Sequence, residues 1–247
     1  MKGSTELLPF CVCRTHVRIG GKIGMKENLL AEALIKITSG IFLMMALLFI
    51  PAGDIRWFNG WLLMGLLFIP MAAAGLFMYF KAPDLLRSRL RAKETEKEQQ
   101  GVIAASGVMF ILSFLLAGLN YRFGWISLPP SVTAAACVVF LIGYALFAEV
   151  LRENSYLSRV VEVQQGQKVV DTGLYGVVRH PMYFATVLLF LSMPLILGSL
   201  PSFVIMLCYI PLIILRIRNE EKVLEEKLDG YREYEKKVKY RLLPLIY

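Results

Sequence analysis

The chain predicts an all-α, polytopic integral membrane fold. Three observations carry that expectation. The 247 residues are 57% hydrophobic with a mean hydropathy of +0.58, more apolar than a water-soluble chain of that size sustains. The apolar residues fall into long runs, and four of these approach or exceed the about 20 residues that cross roughly 30 Å of hydrocarbon. Lysine and arginine, 27 in all, gather between alternate runs. Charged loops of a membrane protein account for the net charge of +8, and no basic patch interleaved with exposed aromatics points to nucleic acid. Cys11-Val12-Cys13 with His16 has faint metal-ligand spacing, but no second ligand pair follows, so no metal is expected.

Residues 1–28 are basic, contain glycine, and read as a cytoplasmic tail without stable order. No signal peptide is expected there, because the apolar core at Leu7–Val12 is too short. Met25 is a second candidate start, which would make residues 1–24 an appendage. The first span runs from Leu29 to Ile50 and carries Glu32 and Lys36 four residues apart, a spacing that pairs them. A short link, Pro51–Arg56, forces the second span, Trp57–Phe80, to return antiparallel, with Trp57 and Trp61 at an aromatic belt. Residues 81–101 form a charged loop with helical spacing, read as a solvated or headgroup-facing surface helix. The third span is Val102–Leu119 and the fourth Ser131–Leu151, with Tyr121, Trp125 and Pro129-Pro130 marking the far interface between them. A second polar loop, 152–181, leads into two shorter apolar segments, Met182–Leu197 and Pro201–Leu215, joined by the turn Gly198-Ser199-Leu200-Pro201. Four full spans plus this C-terminal helical hairpin make five to six membrane segments. Arg216–Tyr247 reads as a charged cytoplasmic tail, helical to Asp229-Gly230. Residues 29–130 then form an N-terminal membrane unit and 131–247 the functional core.

Orientation follows from charge. Residues 1–28, 81–101, 152–181 and 216–247 hold 24 of the 27 basic residues, so both termini are expected in the cytoplasm. Two polar clusters then fall on one side: Asp171–Tyr183, with one of only two histidines, and Arg216–Glu221. Arg216 and Glu220 are four residues apart and share a helix face. A carboxylate there can take an ammonium, and an arginine can fork onto a carboxylate or phosphate. His180-Pro181 starts an apolar helix whose first-turn N–H groups suit an anion. Tyr175 and Tyr183 offer ring faces to a cation. A small molecule with a carboxylate, an amine and a cationic centre suits this set, and S-adenosylmethionine has all three. The same residues also read as a helix start with solvated glutamates, and Tyr231 and Tyr234 as interfacial anchors.

Arg179-His180-Pro181-Met182-Tyr183, then Arg216-x-x-x-Glu220-Glu221-x-x-Leu224, then Gly230-Tyr231-x-x-Tyr234 and Arg241-Leu242-Leu243-Pro244, resemble the isoprenylcysteine carboxyl methyltransferase family and the related phospholipid N-methyltransferases. The resemblance covers residues 131–247. It implies that Gln167, Lys168, Val169 and Val170 line S-adenosylmethionine, and that Tyr175 and His180, Pro181, Met182 and Tyr183 hold its methionine and ribose. It implies that Glu220 takes the amino group with Glu221 beside it, and that Arg216 orients a lipophilic methyl acceptor entering from the bilayer. The chain departs from the family at Gln167, where histidine is common, at Ala185, where glycine is common, and at Gly143-Tyr144-Ala145, where the phospholipid branch has Gly-x-Gly. O-methylation of a carboxylate is the expected chemistry. Membrane sterol reductases, which use NADPH, share a similar C-terminal pattern and form the alternative enzyme class. A transporter or scaffold is the non-enzymatic one, against which stands the lack of internal repeats.

Overall fold

The computed structural model describes residues 19–91, 97–154, 163, 166–244 and 246–247. Cys11, Cys13, His16 and part of each charged loop lie outside them. Among the described residues every regular element is helical, and the protein is a polytopic membrane protein. In chain order the helices are α1 (Ile19–Ala52), α2 (Phe58–Lys81), α3 (Pro83–Arg91), α4 (Lys97–Phe123), α5 (Pro130–Glu153), α6 (Pro181–Ile196), α7 (Leu200–Met206), α8 (Tyr209–Lys227) and α9 (Tyr231–Lys237), with a 3-10 turn at Gly173–Gly176 before α6.

Among the described residues, five stretches are long and apolar enough to cross a membrane: Leu29–Ala52, Phe58–Lys81, Gln99–Phe123, Pro130–Glu153 and Leu200–Lys227. Helix α1 reaches back to Ile19, ten residues before the expected start of its span. The C-terminal hairpin has unequal arms. Helix α6 has 16 residues and is about 24 Å long, short of a full crossing. The other arm, α7 plus α8, covers the 28 residues Leu200–Lys227. It therefore does not stop at Leu215, and Arg216–Glu221 ride on the spanning helix itself. Its break at Leu207-Cys208 has a local cause: Pro211 has no N–H to donate, and its ring crowds the Leu207 carbonyl. The arms are joined at Gly198, in the left-handed region at φ +73°, and Ser199 caps α7 by accepting from the Ser202 N–H at 3.3 Å.

Small residues set the helix crossings, as expected where lipid supplies no hydrophobic drive. A Cβ on Gly118 of α4 would lie 2.7 Å from the Leu48 carbonyl oxygen of α1. A Cβ on Gly143 of α5 would lie 2.9 Å from Leu189 Cγ and 3.2 Å from the Ala185 carbonyl oxygen, both on α6. Gly143, the first residue of the Gly143-Tyr144-Ala145 stretch, and Ala185, where the family commonly has glycine, thus meet in the α5–α6 seam. Hydroxyls stitch the interior: Ser113 to Ser202 at 2.6 Å, Thr186 to Tyr209 at 2.8 Å, and the Tyr144 hydroxyl to the Leu67 carbonyl at 2.7 Å.

Two expectations about aromatics are corrected. Trp57 is buried in the core, stacked on Tyr121, and only Trp61 faces outward. The hypothesis of Tyr231 and Tyr234 as interfacial anchors also fails, because both are buried under α8. The Glu32–Lys36 pair forms at 3.2 Å, and Lys36 also donates to the Leu90 carbonyl, which ties α3 to α1.

Candidate active site at the α5–α6–α8 end of the bundle

Four pieces of chain meet where α5 ends, α6 begins and α8 leaves its apolar half. The first is the segment entering the 3-10 turn. The Glu153 carboxylate, at the end of α5, accepts the Leu174 N–H at 2.9 Å and 3.3 Å. Gly173, at φ +53°, permits this, since any Cβ there would overlap that carboxylate. The turn is pinned twice more: Asn154 Nδ2 donates to the Tyr175 hydroxyl at 3.0 Å, and the Tyr234 hydroxyl donates to the Tyr175 carbonyl at 2.7 Å. Lys237 of α9 pairs with Asp171 at 2.6 Å.

The second piece is Arg179-His180. Its main chain donates to the Tyr240 and Arg241 carbonyls at 2.9 Å and 2.8 Å, so the C-terminal segment lies alongside it. The side chains converge on Glu221, only 2% exposed. Arg179 Nε and Nη2 reach Glu221 Oε1 at 2.9 Å and 2.8 Å, His180 Nε2 reaches the same oxygen at 3.2 Å, and Arg241 Nε reaches Oε2 at 2.6 Å. Arg179 also spans to the Glu235 carboxylate at 3.5 Å and the Val238 carbonyl at 3.2 Å. Buried charges survive only when paired this fully. Both oxygens of Glu221 are thereby committed within the protein.

The third piece is the facing pair of turns on α6 and α8. Arg216 Nε donates to the Tyr183 hydroxyl at 3.0 Å, and that hydroxyl donates to Glu220 Oε2. His180 and Tyr183 stack, with ring centroids 5.6 Å apart. Tyr183 is the only donor to the Glu220 side chain among the described residues, and Glu220 Oε1 accepts from none of them. Two adjacent glutamates therefore differ: Glu221 closes an internal ion cluster, and Glu220 has one oxygen that accepts from none of the described residues. At the start of α6 the Tyr183 and Phe184 N–H groups both go to the His180 carbonyl, so this helix start directs two donors inward.

The fourth piece is the apolar floor of Val169, Leu224, Leu228, Tyr231, Tyr234 and Val238. Gln167 and Val170 are half-buried and Lys168 is exposed. Tyr231 is buried and its hydroxyl has no hydrogen-bond partner among the described residues. Burial and the Glu221 and Glu220 charges push that phenol far above the ordinary range, so it stays a donor. Tyr175 is pushed up to about 12, chiefly by burial, against the Asn154 hydrogen bond and with the charges of Glu220 and Glu153 adding to the rise.

The structure thus brings Tyr175, His180, Pro181, Met182, Tyr183, Arg216, Glu220 and Glu221 to one end, with Val169 and Val170 at its floor. It also brings in residues that sequence reasoning did not single out as site residues. Arg179 and Arg241 stood in the quoted motifs without a role. Arg89 lies on α3 inside the loop expected to be solvated, yet its Nε is buried and its charge bears on Tyr175. Gln99 on α4 donates from Nε2 to the Arg216 carbonyl at 3.3 Å. Neither residue carried a local signal, since their approach is purely tertiary.

Comparisons with known proteins address the same region. Three Delta(14)-sterol reductases are similar to part of the chain. The protein of that name designated TM7SF2 from Mus musculus is 28% identical over 125 residues, 45% of this chain and 30% of the relative. The Arabidopsis thaliana protein is 30% identical over 122 residues, 45% of this chain and 33% of its own. The Methylotuvimicrobium alcaliphilum protein is 27% identical over 135 residues, 49% of this chain and 32% of its own. The chain spans about a third of the length of these relatives. Residues 131–229, which contain α5, α6 and the Arg216–Glu221 turn, match the phospholipid methyltransferase family model, a family related to the isoprenylcysteine carboxyl methyltransferases.

Proposed function

We propose that the protein is an S-adenosylmethionine-dependent membrane methyltransferase acting on a lipophilic acceptor, with a carboxylate oxygen as the preferred methyl-accepting atom. The observation that carries this reading is the division of labour between Glu220 and Glu221 inside the stretch that matches the methyltransferase family. The residues fit the cofactor on two counts. Glu220 has an oxygen to spare for an ammonium group, and the Tyr231 hydroxyl is a buried donor without a partner among the described residues.

S-adenosylmethionine supplies a sulfonium methyl group: as its S–C bond breaks, the electron pair stays on sulfur and a lone pair of the acceptor oxygen forms the new O–C bond. Glu220 holds the amino group, with Glu221 fixing the helix turn beneath it. Tyr175, Met182 and Tyr183 would hold the methionine and ribose portions, and Gln167, Lys168, Val169 and Val170 would line the cofactor. His180 and Pro181 set the position of that wall. Arg216, held against Tyr183, orients the acceptor carboxylate. A carboxylate is already a nucleophile, so the protein needs no general base; proximity and alignment supply the rate. The acceptor enters from the bilayer, and the charge of the basic loops supports a cytoplasmic side for this end of the bundle and for both termini.

Membranes containing the protein, incubated with methyl-labelled S-adenosylmethionine, should yield lipid-soluble label that mild base releases, as an ester requires. Glu220→Ala should abolish the incorporation. Label that resists base would move the acceptor to an amine or thiol, and undiminished incorporation by Glu220→Ala would remove Glu220 from the site. A second reading has its own support in the sterol reductase relatives. On that reading the same end would hold NADPH, and NADPH titration of the purified protein separates the two.

A further inference from the structure

Gln99 opens the third spanning stretch and is 1% exposed, an uncommon place for a primary amide. Its Nε2 donates to the Arg216 carbonyl at 3.3 Å, which sets the amide against the α8 turn that carries Arg216 and Glu220. Its Oε1 is buried and accepts from none of the described residues. Native interiors rarely leave a buried carbonyl without a donor, because desolvating it unpaired costs stability. An exception beside a candidate site points to a ligand that supplies the donor.

Gln99 also lies outside residues 131–229, the part matching the family. The cofactor contacts proposed above all lie between Gln167 and Tyr231, so a ligand at Gln99 is the other substrate, the methyl acceptor. Resting on the methyltransferase reading above, we infer that Gln99 is a specificity-determining residue. Its side-chain carbonyl accepts a hydrogen bond from an N–H or O–H that the methyl acceptor carries close to the methylated group. The acceptor is then not a bare hydrocarbon acid. Two sources carry such a donor: an acid with an amide N–H beside its carboxylate, and a lipid amine.

The test uses the full-length protein in detergent and three acceptors. These are a farnesyl thioether acid with an acetamido group beside the carboxylate, the same acid lacking that group, and dioleoyl phosphatidylethanolamine. S-adenosylmethionine affinity is measured first for the wild type, Gln99→Met and Gln99→Glu. A wild type without affinity fails the methyltransferase reading itself, and is scored separately from the acceptor panel. With affinity present, the wild type should prefer a donor-bearing acceptor over the bare acid by on the order of tenfold or more in kcat/KM. The acetamido acid and the amine lipid reveal which source is used. Gln99→Met should bring the ratio of the preferred acceptor to the bare acid close to one, and Gln99→Glu, which keeps an acceptor oxygen, should retain a preference. A Gln99→Met ratio equal to the wild-type ratio overturns the inference, since a purely structural amide or a bound water would behave so. A wild type that uses the bare acid equally well, or uses none of the three, overturns it even if Gln99→Met does not fold.

Discussion

At the scale of single residues, the site turns on a 100° step. Glu220 and Glu221 are neighbours in sequence, so a helix points them in directions about 100° apart. One meets Tyr183 and has an oxygen that accepts from none of the described residues, and the other is enclosed by Arg179, His180 and Arg241. The sequence marks both as candidates, and periodicity alone cannot say which faces inward, because the cations come from two distant segments. The distinction predicts different phenotypes. Glu221→Ala strips buried Arg179 and half-buried Arg241 of their shared counter-charge and should cost about 3–5 kcal/mol of stability, read as thermal unfolding in detergent. Glu220→Ala removes the acceptor of the buried Tyr183 hydroxyl and should cost less, about 1–2 kcal/mol, while abolishing cofactor binding. Tyr175 gives a pH signature. Its folded-state pKa is raised to about 12, so its contribution to stability is complete below the ordinary tyrosine value near 10 and is lost as pH rises through about 12. Unfolding temperature should therefore fall across that alkaline window, and Tyr175→Phe should flatten the fall.

At the scale of elements, the hairpin and the helix crossings decide what the site can be. The turn at Gly198 was legible from its residues, as was the apolar character of both arms. The continuity of the second arm was not, because the polarity change at Arg216 reads as a boundary, while the backbone continues helically to Lys227. That continuity makes the position of Arg216 and Glu220 depend on helix packing. The α5–α6 seam at Gly143 sets the place of α6, whose Tyr183 meets Arg216 and Glu220. Gly143→Val should push α5 from α6, cost about 1–3 kcal/mol by overpacking, and lower activity more than it lowers cofactor affinity. The α3 helix shows where sequence reading stops. Its charges resemble any solvated face, while the Lys36 tie to Leu90 fixes α3 against α1 and the Arg89 charge bears on Tyr175.

At the scale of the whole molecule, apolar length and charge asymmetry were enough to read an all-helical membrane protein from sequence, and the five spanning stretches agree with that. Which half does what is a matter of chain division. Residues 131–229 match a methyltransferase family, and the N-terminal half adds Gln99 and Arg89 at the same end. The charge pattern predicts that a cysteine replacing exposed Lys236 is labelled only from the cytoplasmic side, and one replacing exposed Arg56 only from the opposite side. Labelling of both from one side would refute the topology.

The central claim is that the end of the bundle built by Tyr183, Arg216 and Glu220 binds S-adenosylmethionine. Calorimetric titration of the purified protein in detergent with S-adenosylmethionine and, separately, with NADPH tests it most directly. Saturable heat with S-adenosylmethionine that disappears in Glu220→Ala, and none with NADPH, is the predicted result. Saturable binding of NADPH alone, or S-adenosylmethionine binding of unchanged affinity in Glu220→Ala, would contradict it.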